Sequence, residues 1–278
     1  MTTASEAMVA ATARLRAAGV PEPARDARIL LAHAARVDAT RVTLIAPDDI
    51  APEIEDRFEH LVSLRAIRVP VSHLIGEREF YGRAFKITGD VLDPRPDTET
   101  LIDAALSLPF ERVLDLGTGS GAILITLLAE RENATGVGLD VSEAACLQSA
   151  ANAAMHNVAP RAEVLQSDWF DCAEGRFDLI VANPPYLTLD EFNAAAPELV
   201  QHEPRIALTD DADGLTAYRE IAGAAAGYLT EDGTVLVEIG WQQGTAVSEI
   251  FQAAAWGDIQ ILPDLDGRDR VIVARDPA

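Results

Sequence analysis

The segment Asp115-Leu116-Gly117-Thr118-Gly119-Ser120-Gly121-Ala122 constrains this chain more than any other. It closes a short apolar run, Val113-Leu114-Asp115-Leu116, that reads as a strand, and it opens a helical stretch from Gly121 to Glu130. Glycines at a strand-to-helix turn let the backbone bend sharply, and they let a ligand approach where a side chain would collide. From Arg112 onward the pattern alternates: strands are expected at 136–140, 162–167, 177–182 and 234–239, and helices at 142–156 and 214–229. Such alternation implies an α/β fold with a mainly parallel sheet and helices on both faces. The end differs. Stretches 258–262 and 270–274 read as strands with no room for a crossover helix, so they are expected to pair antiparallel at the sheet edge, joined by 263–269.

The first 70 residues or so read as helices without a strand. Val20-Pro21-Glu22-Pro23 separates the first two, and the second carries Ala24, Ala27, Leu30, Leu31 and Ala34 on one face. A third starts near Pro52, shows helical spacing at Ile54, Phe58, Leu61 and Arg65, and stops before Pro70. Glu79-Phe80-Tyr81-Gly82 and Phe85-Lys86-Ile87 then look like two short strands around a turn. Pro94-Arg95-Pro96 forces an extended segment, and Asp97 is placed to cap a helix containing Leu101, Ile102, Ala105 and Leu106.

Composition excludes several classes. With 49% apolar and 24% charged residues among 278, the chain is an ordinary folded one, and no apolar run reaches spanning length. Its start, with Glu6, Arg14 and Arg16, does not read as a secretory signal, and two cysteines, Cys146 and Cys172, fit a reducing cytoplasm. Lys plus Arg is 22 against 45 for Asp plus Glu, a net charge of −23. Phosphate contacts dominate nucleic-acid affinity, so such a chain is expected to be repelled by DNA and drawn to a basic protein partner. General solubility is an equally good account of the acidity.

Chemistry gathers at four strand ends. Asp140 ends the strand after the glycine loop, where a carboxylate can take both hydroxyls of a ribose. Read only as Gly-x-Gly-x-x-Gly/Ala, the loop suits NAD as well as S-adenosylmethionine. Asp115, suited to a methionine ammonium, and the antiparallel sheet end favour the latter. Asp168-Trp169 ends the third strand and offers an acceptor for an adenine amine and a face for its ring, although Trp169 serves equally well as core. The fourth strand ends Asn183-Pro184-Pro185-Tyr186. Two prolines remove two N–H donors and leave the Asn183 amide oxygen and the Pro184 carbonyl to accept from one NH2 group, with Tyr186 as a wall or a hydroxyl. That arrangement orients a planar amide or an aromatic amine for methyl transfer. His33, His60, His73, His156 and His202 are scattered, and neither cysteine belongs to a Cys-x-x-Cys, so no metal is expected.

These residues, together with Gly76-Glu77-Arg78-Glu79-Phe80-Tyr81-Gly82, Pro94-Arg95-Pro96-Asp97-Thr98-Glu99, Glu203-Pro204, Asp213-Gly214-Leu215, Glu238-Ile239-Gly240 and Gln243, resemble the HemK family of protein glutamine N5-methyltransferases over nearly the whole chain. The Pro-Arg-Pro-x-Thr-Glu segment is similar to the branch that acts on peptide chain release factors, rather than to the ribosomal-protein branch. The resemblance implies a class I S-adenosylmethionine-dependent methyltransferase domain, Rossmann-like, over 97–278. It implies a helical domain for substrate recognition over 1–72 and a β-hairpin linker over 73–96. It further implies that Asp115, Gly117, Thr118, Gly119, Ser120, Gly121, Asp140, Asp168, Trp169 and Asn183 hold S-adenosylmethionine. Asn183, Pro184, Pro185 and Tyr186 would be catalytic, with S-adenosylhomocysteine as product and a release factor as partner. No nucleic acid, membrane or second subunit is required. Asp93 departs from the apolar residue usual before Pro-Arg-Pro, and Arg95 and Thr98 either line the substrate pocket or lock the hinge. A ribosomal-protein glutamine methyltransferase, a nucleic-acid amino-methyltransferase and a non-enzymatic cofactor-binding module are the competing readings.

Overall fold

The computed structural model describes residues 2–277, so the outermost residues of the first and last expected domains, 1 and 278, lie outside it. The chain begins with helices α1 (Ala4–Ala17), α2 (Pro23–Ala35), α3 (Val42–Ile45), α4 (Pro52–Ala66) and α5 (Val71–Ile75). A hairpin follows, β1 (Glu77–Phe80) and β2 (Arg83–Lys86), and then α6 (Glu99–Leu106). The alternating part runs β3 (Arg112–Leu116), α7 (Ala122–Glu130), β4 (Thr135–Asp140), α8 (Glu143–Met155), β5 (Ala162–Gln166) and β6 (Phe177–Ala182). It continues with α9 (Leu189–Ala194), α10 (Pro197–His202), α11 (Thr216–Ala224), β7 (Leu229–Glu238), α12 (Gly244–Ala253), β8 (Trp256–Pro263) and β9 (Asp269–Pro277).

By packing, the chain forms two compact units. The first ends at Glu77 and includes Pro197–His202; the second comprises Arg78–Ala196 and Glu203–Ala278. In the first unit, Thr3 and Glu6 form a reciprocal cap on α1. Leu15, Leu30, Leu31, Phe58 and Val62 make its core. Arg65 is buried there between Asp26 (2.7 Å) and Glu198 (2.9 Å), and Glu198 also pairs with Arg68 at 2.6 Å.

The second unit is built on a seven-stranded sheet of order β5-β4-β3-β6-β7-β9-β8. The five strands β5, β4, β3, β6 and β7 are parallel, and β9 is antiparallel to both β7 and β8. The last strand therefore inserts between its two predecessors and leaves β8 at the edge. Side chains alternate as the strand period requires. Val113, Leu179, Val181, Leu236, Val271 and Val273 enter one core with α6, α7 and the hairpin residues Phe80 and Phe85. Leu114, Leu116, Ile180, Val235, Val237 and Ile272 enter the other with Tyr218, Phe251 and Trp256. Both sheet faces are thus covered, which explains why these strands read as nearly continuous apolar runs.

Two local expectations are corrected. The helix expected over 214–229 ends as an α-helix at Ala224, tightens into a 3-10 turn over Ala225–Tyr228, and gives way to β7 at Leu229. Asp97 does not cap α6: it lies inside a 3-10 turn, Pro96–Thr98, and its carboxylate pairs with Arg270 at 3.0 Å. Asp93, the departure before Pro-Arg-Pro, is buried.

Candidate functional site

Strands β4 and β6 flank β3, and the chain order reverses there, so the C-terminal ends of β3, β4, β5 and β6 share one edge at a topological switch point. Open parallel sheets bind ligands outside that edge. A crevice of about 330 Å³ lies there, lined by Gly117, Gly119, Asp140, Ser142, Asp168, Trp169, Asn183 and Pro185, with Asp90, Leu92, Pro204 and Ile206 at its other walls. A larger and more open depression, near Arg176, Leu229 and Pro277, lies at the opposite edge, where β6 and β7 begin.

The glycine loop leaves β3 with the N–H groups of Gly117 and Thr118 both donating to the Leu139 carbonyl, at 2.8 and 3.0 Å. Its glycines divide into two kinds. A Cβ on Gly117 would meet nothing within 4 Å, and one on Gly119 only the Gly117 carbonyl at 3.9 Å, so both face open space in the crevice. A Cβ on Gly121 would lie 2.5 Å from Ser149 Oγ and 2.7 Å from Ile125 Cδ1, so that glycine serves packing at the start of α7. Asp140 anchors the loop: its Oδ2 accepts from the Gly119 N–H and its Oδ1 from the Ser142 N–H, both at 2.9 Å. Each oxygen keeps a lone pair for a hydroxyl. Burial holds the Asp140 carboxyl above the usual range, against the pull of those two N–H groups.

Asp115 sits elsewhere. It is fully buried, and its Oδ2 accepts from Thr118 Oγ1 at 2.7 Å and from the Leu124 N–H at 3.3 Å. Burial pushes its carboxyl up to about 7. Asp115, Thr118, Ser120 and Gly121 are absent from the crevice lining. They hold the turn from behind, whereas Gly117, Gly119, Asp140, Asp168, Trp169, Asn183 and Pro185 face the space. Trp169 adopts φ +42°, a left-handed conformation unusual for a bulky residue, inside a turn where Ser167 Oγ donates to the Trp169 carbonyl (3.1 Å) and accepts from the Cys172 N–H (3.0 Å). Strain of this kind persists where surrounding structure over-determines it, commonly beside ligand sites.

At the end of β6, Asn183 Nδ2 donates to Thr98 Oγ1 at 3.2 Å. Pro184 is buried, and Tyr186 is held through its carbonyl, which accepts from Gln243 Nε2 at 2.9 Å while Gln243 Oε1 takes the Gly240 N–H at 3.0 Å. Burial pushes the Tyr186 phenol up to about 12, so it stays protonated at neutral pH. Arg95 reaches both oxygens of Glu203 at 2.6–2.7 Å. Burial nevertheless keeps the Glu203 carboxyl above its ordinary range.

The curated protein from Cereibacter sphaeroides named release factor glutamine methyltransferase is 52% identical over 275 residues, spanning 99% of each chain. This chain belongs to the release factor glutamine methyltransferase family. The protein of that name from Agrobacterium fabrum is 40% identical over 98% of this chain and 97% of its own. Residues 6–76 match the family described as PrmC N-terminal domain, and 95–213 the Methyltransferase small domain. A methyltransferase from Pyrococcus furiosus shares the fold, with a TM-score of 0.55 at 14% identity over 72% of this chain and 91% of that one.

For this methyltransferase, sequence reasoning overlooked the crevice wall at Asp90–Leu92 and at Pro204–Ala207. Only Glu203-Pro204 carried a signal, as part of the family pattern; Val91, Leu92, Ile206 and Ala207 are apolar, and Asp90 is a lone carboxylate with no motif around it. It also gave no role to Glu238, which is buried at the end of β7, where burial pushes its carboxyl up to about 7. No group of acidic, histidine or cysteine side chains among the described residues is arranged to hold a metal ion, and no described helix is long and apolar enough to cross a membrane.

Proposed function

We propose that the protein transfers the methyl group of S-adenosyl-L-methionine to the side-chain amide nitrogen (N5) of the glutamine in the Gly-Gly-Gln motif of peptide chain release factors. S-adenosyl-L-homocysteine would leave, with no metal required. The single observation that carries this reading is one crevice lined both by the glycine loop with Asp140 and by Asn183 with Pro185. Room beyond Gly117 and Gly119, a carboxylate at Asp140 with spare lone pairs, and the Trp169 ring fit a ribose, an adenine and a methionine tail. When bound, the cofactor supplies a methyl carbon already activated by a sulfonium, so positioning the nitrogen is the main task left to the protein.

Asn183 Oδ1 and the Pro184 carbonyl would accept the two N–H groups of the substrate amide. Those hydrogen bonds would turn the nitrogen lone pair toward the methyl carbon and stabilise positive charge growing on nitrogen during transfer. The departing amide proton would pass to solvent. Tyr186, protonated at neutral pH, would wall the amide plane. Residues 1–72 would recognise the substrate protein, 73–96 would link, and 97–278 would carry out transfer, the chain working as a monomer in the cytoplasm.

The test is labelled S-adenosylmethionine with a purified, unmodified release factor and mass mapping of the product. One methyl on the Gly-Gly-Gln glutamine is expected, and Asn183→Ala should abolish turnover while leaving cofactor affinity largely intact. Transfer only to a ribosomal protein or to nucleic acid would overturn the substrate. A wild-type rate in Asn183→Ala would overturn the mechanism.

A further inference from the structure

We propose that Trp241, with Leu265, Leu189 and Ile206 on neighbouring loops of the same sheet edge, forms the docking surface for the part of the release factor that flanks the methylated glutamine. The inference rests on the reading that Asn183 and Pro184 receive that glutamine's amide.

These side chains are apolar and exposed, and a fixed backbone holds each of them out. The chain turns at Gly240–Gln243, where the Gln243 N–H donates to the Gly240 carbonyl at 2.8 Å and Gln243 Oε1 accepts from the Gly240 N–H at 3.0 Å. Gln243 Nε2 ties that turn to the Tyr186 carbonyl at 2.9 Å. Trp241 stands in the turn, 56% exposed and outside all three hydrophobic cores. Leu265 is fully exposed at the tip between β8 and β9, where Asp264 Oδ1 accepts from the N–H groups of Asp266 and Arg268, both at 3.0 Å. Arg270 braces the two loops, its Nη1 donating to the Ile239 carbonyl at 3.3 Å and its Nη2 to Asp264 Oδ2 at 3.2 Å. Just past the Asn-Pro-Pro-Tyr turn, the Leu187 N–H donates to the Leu208 carbonyl at 3.0 Å, which joins the loop of Leu189 to that of Ile206.

Antiparallel pairing of β9 with β7 and β8 puts the 264–268 tip at the end of the sheet where β7 stops, the same end at which Asn183 lies. Large apolar side chains scattered singly over a surface mean little, but several gathered around one crevice mark a contact surface. A rigidly held tryptophan is a common anchor, because its ring contributes a large area with few torsions to freeze. The occupant follows from the reaction. A glutamine side chain is short, so its amide reaches Asn183 only if the main chain on either side of it lies over the crevice mouth. Ile206 is at once a crevice wall and 59% exposed, so the surface is continuous with the site. Loops 186–191, 203–215 and 263–269 carry nine carboxylates against two arginines, which favours a partner whose apolar contact is edged with basic groups.

The experiment compares wild type with Trp241→Ala, Trp241→Phe and Leu265→Ser in the full chain. Steady-state methylation of an unmodified release factor gives KM and kcat, calorimetric titration with S-adenosylhomocysteine gives cofactor affinity, and thermal unfolding gives stability. Trp241→Ala is expected to raise the KM for the release factor by roughly 10- to 100-fold, the scale of losing one aromatic anchor at an interface. Its kcat and cofactor affinity should stay within about two-fold, as for a contact made equally in ground and transition states. Trp241→Phe should recover most of the KM, and Leu265→Ser should raise it by roughly 3- to 10-fold. A merely structural role would instead lower stability, cofactor affinity and kcat together, and that result would overturn the proposal. So would a wild-type KM in a folded Trp241→Ala; should that variant not fold, Leu265→Ser decides in its place. Sedimentation of the enzyme alone covers the other occupant: a wild-type dimer that Trp241→Ala separates would assign the surface to a second copy of the chain. If wild type leaves the release factor unmethylated, the reading beneath the proposal fails and the docking surface with it; if wild type methylates it and the variants keep its KM, only the docking surface fails.

Discussion

Replacing Gly214 by alanine should damage both the fold of the second unit and the turn that carries Asn183. Gly214 has φ +71°, and a Cβ placed there would lie 2.3 Å from the Tyr186 carbonyl oxygen, 3.0 Å from its carbonyl carbon and 3.2 Å from Gln243 Nε2. Two effects add. A left-handed conformation costs a residue with a Cβ roughly 1–2 kcal/mol. Forcing an atom against a fixed backbone carbonyl costs about 1–3 kcal/mol more in displaced neighbours. The Tyr186 carbonyl cannot retreat freely, because Gln243 Nε2 already holds it at 2.9 Å. The sum is a destabilisation of roughly 2–5 kcal/mol. A shift of Tyr186 also moves the Pro184 carbonyl beside it, and misplacement on the ångström scale costs on the order of 100-fold in rate. Gly223→Ala is the control: it sits on the exposed face of α11, has nothing within 4 Å of a new Cβ, and should gain about 0.5–1 kcal/mol in helix stability. Urea unfolding followed by tryptophan fluorescence is the assay, since Trp169, Trp241 and Trp256 all lie in the same unit as both glycines. A Gly214→Ala variant that unfolds within about 0.5 kcal/mol of wild type would refute the reasoning, because surface-like substitutions scatter by that much.

Further outcomes follow from charge and burial. The folded-state pKa of Asp115 lies near 7, above its ordinary 3.8, so its ionisation opposes folding: the penalty is absent at low pH, grows as pH rises from 3.8 to about 7, and then stays constant. Asp115→Asn does not titrate, so its stability relative to wild type should rise by up to about 4 kcal/mol between pH 4 and pH 8, whereas a difference independent of pH would contradict this. In the first unit, Arg65→Ala leaves the buried Asp26 without its 2.7 Å partner and should cost about 3–5 kcal/mol in thermal unfolding followed by circular dichroism; a loss below about 1 kcal/mol would show the pair to be dispensable. With a net charge of −23, docking of a basic substrate protein should weaken as salt is raised, and a KM for the release factor that ignores ionic strength would rule out steering by charge.

The glycine loop, the Asn-Pro-Pro-Tyr turn and the Tyr81-Gly82 hairpin turn are defined by residues that only a few backbone conformations accept. Helices α3, α5, α9 and α10, each a turn or two long, escaped notice because so few residues display no periodicity. The helix expected to run to Leu229 was extended too far because Ala222–Ala226 remains helix-favouring while the chain must turn to start β7. Asp97 had the residue type and place of a cap, but a longer-range ion pair with Arg270 took it.

The sequence alone determined the α/β class, the presence and order of the parallel strands, the antiparallel end and the strand-end segments that line one side of the crevice, because all of these follow from periodicity and from backbone restriction over neighbouring residues. Tertiary structure decided which side chains share a space. It seated β9 between β7 and β8, turned Asp115 into the core while Gly117 and Gly119 kept the open side, and brought Thr98 to the side chain of Asn183. Hydrogen-bond direction, desolvation and the pKa values that follow from it depend on groups far apart in the chain, and no local pattern encodes how far apart in space they will be.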